Sequence, residues 1–145
     1  MSRCSDVAVD DLDDDELAAA LAAGAVGAGW SEQAAVDLLV TTRTWLGRRE
    51  LRQAVEVAAW HGDPMAAWVD WQAVDPTAPA SSGELRLLHL MRSLGGVPTR
   101  IPLGELVGGL DASNLAKVLQ AVRIAARGRD SAPNRSCHHE SIGPW

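Results

Sequence analysis

The segment from Ser81 to Gly128, SSGELRLLHLMRSLGGVPTRIPLGELVGGLDASNLAKVLQAVRIAARG, decides how the chain folds. Ser81 and Glu84 make a Ser-x-x-Glu pattern, in which a hydroxyl and a carboxylate cap the first turn of a helix reciprocally. Behind it, Leu85, Leu87, Leu88, Leu90, Met91 and Leu94 cover more than half of a helix circumference and leave Arg86, His89, Arg92 and Ser93 as one polar strip. A helix apolar over so wide an arc is expected at the centre of a core. Gly95-Gly96-Val97-Pro98 ends it, because neither glycine nor proline sustains helical backbone. Leu103 to Leu110 then reads as a short helix, Asp111 as a polar cap in a tight turn, and Leu115 to Val122 as part of a long amphipathic helix ending in arginines.

Toward the N-terminus the signals are weaker but of the same kind. Residues 1–12 are acidic and read as a disordered arm. Asp13, Asp14 and Asp15 offer a cap and first-turn acids to a helix running through Ala23, since carboxylates complement the free N–H groups there. Gly24 to Gly29 reads as a flexible connection. Ser31 is the expected cap of the next helix, whose Ala35, Leu38, Leu39, Thr42, Trp45 and Leu46 form one stripe that Gly47 would close. Arg48, Arg49 and Arg52 open a further helix around Leu51, Ala54 and Val55. Val57-Ala58-Ala59-Trp60 and Met65 to Trp71 flank His61-Gly62-Asp63-Pro64, a turn-rich tetrad that predicts a β-hairpin. Asp75 to Ser82 is a connection, and residues 129–145 read as a disordered tail. The fold expected is therefore mainly α: one helical domain over residues 13–128, with a short β-hairpin and a helix-turn-helix-like part at 82–128.

Composition sets the bounds. A chain of 145 residues buries about two thirds of its unfolded surface, enough for a core without disulfides or metal. Phe and Tyr are absent, so six tryptophans supply every aromatic ring. Twelve of the 13 basic residues are arginine, Lys117 being the exception, as a GC-rich coding bias produces. The net charge of −6 is segregated along the chain: −6 over residues 1–30, −3 over 31–83, +4 over 84–135, and −1 from Glu140. That asymmetry suits a basic contact module with an acidic arm, and solvated helix faces produce it as well.

Chemistry-bearing clusters are few. Cys4 and Cys137 lie near opposite ends and belong to no Cys-x-x-Cys pair, so the expected setting is reducing and cytoplasmic. Cys137-His138-His139 lacks further ligands at metal spacing, and no metal or cofactor is expected. His61 and Asp63 are one residue apart but have no third partner, so no catalytic set is read and the protein is expected not to be an enzyme. Asp10 to Glu16 precede the apolar run at Leu17 where a secretory signal needs positive charge, and no run reaches the roughly 18 apolar residues of a membrane span.

Gly104-Glu105-Leu106-Val107-Gly108-Gly109-Leu110, Asp111-Ala112-Ser113-Asn114 and Leu115 to Val122 together resemble the helix-turn-helix core of winged-helix bacterial regulators, over about twenty residues. The resemblance implies that Leu106, Leu110, Leu115, Val118 and Leu119 pack, that Asp111 caps, and that the second helix enters a DNA major groove. On that implication Ser113, Asn114, Lys117, Gln120 and Arg127 face double-stranded DNA, with Arg48, Arg49 and Arg52 as a second contact. No alternating apolar pattern for a wing follows Gly128, and Ile124 falls on the face assigned to DNA. The whole chain also resembles small proteins of high-GC actinobacteria, which implies no activity. The function expected is a small DNA-binding or transcription-associated protein. The alternative is a non-enzymatic adaptor that grips a protein partner, or a second copy, through Ile124 and exposed tryptophans.

Overall fold

The computed structural model describes residues 7–60 and 63–131. After a 3-10 turn at Val9–Asp11, the elements are α1 (Asp14–Ala25), α2 (Trp30–Thr42), α3 (Arg49–Arg52), β1 (Val55–Trp60), β2 (Asp63–Val69), α4 (Ser82–Leu94), α5 (Leu103–Val107) and α6 (Ala112–Ser131). The expected class holds: mainly helical, with one antiparallel hairpin. α2 is the central helix and packs against α1, α4 and α6, while α1 also packs on β2.

Each boundary has a local cause. Asp13 accepts from the Glu16 N–H at 2.7 Å and Glu16 accepts from the Asp13 N–H, a complete capping box for α1. α1 continues through Gly24, which is buried rather than part of a flexible connection, because a Cβ there would land on the Ala67 carbonyl oxygen of β2. The hairpin can approach α1 so closely only at a glycine. α2 is capped by Gly29 rather than Ser31 and stops at Thr42, where Arg43 adopts the left-handed conformation with φ 59°. Trp45 and Leu46 are still fully buried, but from the turn after the helix rather than from its stripe. The helix expected from Arg48 to Val55 is the single turn α3, since the β-branched Val55 and Val57 begin strand β1.

The hairpin pairs Val55 with Val69 and Val57 with Ala67, and its register shifts between Ala58 and Ala59 so that Met65 is skipped. Pro64, which cannot donate to a ladder, sits beside that shift. The turn residues His61 and Gly62 lie outside the described residues, as do Cys4 and the Cys137-His138-His139 run. Residues 7–12, expected as loose arm, pack instead: Leu12 is buried, and Val7 and Val9 rest against the core. α6 extends to Ser131, past the expected end at Gly128.

Three tryptophans join elements far apart in sequence. The indole N–H of Trp45 donates to the Glu84 carbonyl at 3.0 Å, that of Trp68 to the Gly24 carbonyl at 3.1 Å, and that of Trp71 to the Glu32 carboxylate at 3.1 Å. Each ring supplies apolar area while its one polar atom is satisfied. Burial raises the Glu32 carboxyl above its ordinary range, and the Trp71 bond opposes that shift. The ring of Trp71 fills the space over Gly95, where a Cβ would strike it, so the end of α4 seats this tryptophan.

Candidate interaction surface

α6 begins where Asp111 accepts from the Asn114 N–H at 2.7 Å, the cap its position predicted. Its principal neighbour is α2, whereas α5 lies against α4. α6 is therefore held by the centre of the fold rather than braced by the short helix before it. The orientation this imposes differs from the one inferred from sequence. Val118 and Ala121 are buried, and Lys117, Ile124 and Ala125 are half-buried on the same side. Leu115, Leu119 and Val122, expected as packing residues, are 37%, 51% and 49% exposed. Of the expected packing set, Leu106 and Val118 are buried and Leu110 half-buried.

The exposed apolar residues have a regular spacing. Ala112, Leu115, Leu119, Val122 and Ala126 follow one another at alternating intervals of three and four, and all five face solvent. That is the seam a helix offers to a second helix packed along it. Between Ala112 and Gly128 there is no acidic residue, and Arg123 and Arg127 run along one flank of this seam, while Lys117 lies on the opposite side of α6.

The residues assigned to DNA separate into two groups. Ser113, Gln120 and Arg127 share an outward strip of α6, joined by Arg123, which the sequence reading missed. Asn114 is half-buried with its side-chain amide 3.4 Å from the Asp111 carboxylate, and Lys117 sits half-buried toward α2. Ile124 is not an outward residue. With Arg127 it lines a cavity of about 260 Å3 shared with Val26, Trp30, Val36 and Asp37. There the Asp37 Oδ2 is shielded from solvent without a hydrogen-bond partner, and burial raises its carboxyl above the ordinary carboxylate range. Among the hairpin tryptophans Trp68 is exposed and Trp71 buried, and Trp30 at the start of α2 is exposed as well.

The second basic group is spent inside the fold. Arg48 donates to the Pro79 carbonyl at 3.0 Å, pairs with Glu84 and lies over the Trp45 ring, 5.1 Å from its centroid. The Ser81 hydroxyl, with Arg48, holds the Glu84 carboxyl below its ordinary range. Arg52 donates to the carbonyls of Leu46, Val9 and Leu12, each at 2.8 Å, and to Asp14 at 3.0 Å. Arg49 alone of the three is exposed. Arg52 meets Asp14 at the first residue of α1, while Arg127 lines a cavity with Ala25 at its last. About 17 Å of helix, at 1.5 Å per residue, thus separates Arg52 from Arg127.

No helix among the described residues is long and apolar enough to cross a membrane. Compared with known protein families, curated proteins and solved structures, the chain matches none.

Proposed function

We propose that the protein is a non-enzymatic docking module that receives an amphipathic helix of a partner protein along α6. The observation that carries this reading is the exposed seam Ala112, Leu115, Leu119, Val122 and Ala126. Contiguous apolar surface at helix-pairing spacing has no use in water and a clear one at an interface. The basic flank of this seam selects the partner's chemistry: an apolar seam flanked by Asp or Glu complements it, and one flanked by Lys or Arg is repelled.

The test uses synthetic helical peptides with a leucine seam, flanked either by glutamates or by lysines, and fluorescence anisotropy against the full chain. The glutamate peptide is expected to bind at least about tenfold more tightly, equal to about 1.4 kcal/mol. Leu119→Asp abolishes that binding without changing the helical circular dichroism. Equal affinity for the two peptides overturns the reading. So does a concentration-dependent dimer that Leu119→Asp disperses, since the seam would then be covered by a second copy.

A DNA-binding role is the second reading, favoured by the outward strip of Ser113, Gln120, Arg123 and Arg127. It expects salt-dependent retention on duplex DNA that charge reversal at Arg123 and Arg127 abolishes and Leu119→Asp leaves intact. No retention at low ionic strength excludes it.

A further inference from the structure

A second site lies away from the α6 seam, between α4 and α5. There a cavity of about 450 Å3 has Leu85, Ile101 and Leu106 as apolar walls and Arg86, His89 and Glu105 as polar ones. This volume falls within the range of small-molecule pockets. The guanidinium of Arg86 lies directly against the backbone of Gly109, where a Cβ would land on its Nη1. Gly109 has no positive φ, since Gly96 is the only glycine that does among the described residues. Glycine at 109 is therefore not required by the backbone. It makes room for the arginine.

Arg86 and Glu105 line the same space, yet neither belongs to an ion pair among the described residues, with each other or with any other side chain. Every other feature of this fold that holds a half-buried arginine gives it acceptors: Arg48 has Glu84 and Pro79, Arg52 has four oxygens, and Arg92 donates to the Trp71 carbonyl. A guanidinium offers a planar fork of donors that fits a carboxylate, and a carboxylate accepts from an ammonium. Burial and then Arg92 lower the pKa of His89, which disfavours its charged form. A phosphate would bring two negative charges toward Glu105, whereas a single carboxylate paired with an ammonium satisfies both walls.

We propose that this cavity binds an aliphatic α-amino acid, its carboxylate on Arg86, its ammonium toward Glu105 and its side chain against Leu85, Ile101 and Leu106. The site is independent of the docking seam, which lies on α6.

Isothermal titration calorimetry on the full chain tests it with three probes: L-leucine, L-leucinamide, which lacks the carboxylate, and 4-methylpentanoate, which lacks the ammonium. L-leucine is expected to bind, and L-leucinamide at least about tenfold more weakly, since it leaves the half-buried Arg86 unpaired. Glu105 is exposed, so 4-methylpentanoate, which lacks only the ammonium, is expected to bind up to about fivefold more weakly than L-leucine. Arg86→Met abolishes L-leucine binding, and Glu105→Gln removes the difference between L-leucine and 4-methylpentanoate, once the ammonium has lost its partner. Gly109→Ala guards against misfolding of the arginine variant, because it keeps the charge but displaces the guanidinium, and it too is expected to abolish binding while leaving the circular dichroism unchanged. Absence of L-leucine binding overturns the proposal, as does 4-methylpentanoate binding as tightly as L-leucine, or retention of binding by folded Gly109→Ala protein.

Discussion

Replacing Arg52 by methionine keeps the methylene stem and removes the guanidinium, and it isolates what that one group contributes. Its four bonds reach three carbonyls, from Val9, Leu12 and Leu46, and the Asp14 carboxylate, and its side chain is only 10% exposed. Bonds to a charged group contribute roughly 1.5–3 kcal/mol each in isolation. They do not add here, because all four share one donor group and the open cleft beside Asp13 and Asp14 lets water reach some of the abandoned acceptors. Asp14 is 46% exposed, so its ion pair accounts for no more than about 1 kcal/mol. The expected loss is therefore about 3 kcal/mol. With an unfolding entropy near 2.1 cal/mol/K per residue over 145 residues, this lowers Tm by about 10 °C. Urea denaturation followed by tryptophan fluorescence measures the first quantity and calorimetry the second. Asp14→Asn serves as the comparison and is expected to cost less than about 1 kcal/mol. If Arg52→Met costs under about 1 kcal/mol, or if Asp14→Asn costs as much as Arg52→Met, the carbonyl clamp is not what holds residues 7–12 to the fold.

Other perturbations probe the packing separately. Gly24→Ala is expected to destabilise by about 2–3 kcal/mol despite alanine's better helix propensity, because its Cβ meets the backbone of β2. Gly83→Ala, in α4 with nothing near its Cβ, is expected to gain up to about 1 kcal/mol, so equal effects at the two sites by urea titration would refute the contact argument. Burial raises the Asp37 carboxyl, so the folded state penalises its ionised form at neutral pH, and the penalty is lost as pH falls through the raised folded pKa toward the unfolded value. Asp37→Leu is expected to exceed wild type by about 1 kcal/mol at pH 7, with the gap closing near pH 3–4, and a gap constant over that range would sink the assignment. Leu119→Asp is expected to leave folding stability within about 0.5 kcal/mol, since the side chain is half exposed, and a larger loss would place it in the core.

Elements with a strong local cause were legible in the chain. The Ser81 and Asp13 caps, the apolar arc of α4, the hairpin around residues 61–62 and the Asp111 turn all depend on neighbours within four residues. What could not be read depends on the third dimension. α6 is apolar on two adjoining arcs, one of Val118, Ala121 and Ile124 and one of Leu115, Leu119 and Val122, and periodicity cannot say which arc meets α2. The arc with Ala121 at its centre is the one buried, consistent with a small side chain admitting a close neighbour. The larger residues are left outside. The place of Arg52 is hidden for a related reason: three of its acceptors are backbone carbonyls, which have no signature in sequence, and two lie about 40 residues away. The Arg86 cavity was invisible because Gly109 and Arg86 come together only through the packing of α5 on α4.

The three indole bonds described above give the protein a built-in set of clocks. An indole proton donated to an acceptor on another element exchanges with solvent deuterium only when that contact opens. Trp45 times the separation of the turn after α2 from α4, Trp68 that of the hairpin from α1, and Trp71 that of the segment after β2 from α2. One proton spectrum followed over time would thus rank which seam of the molecule parts first, without a probe being added or a residue being changed.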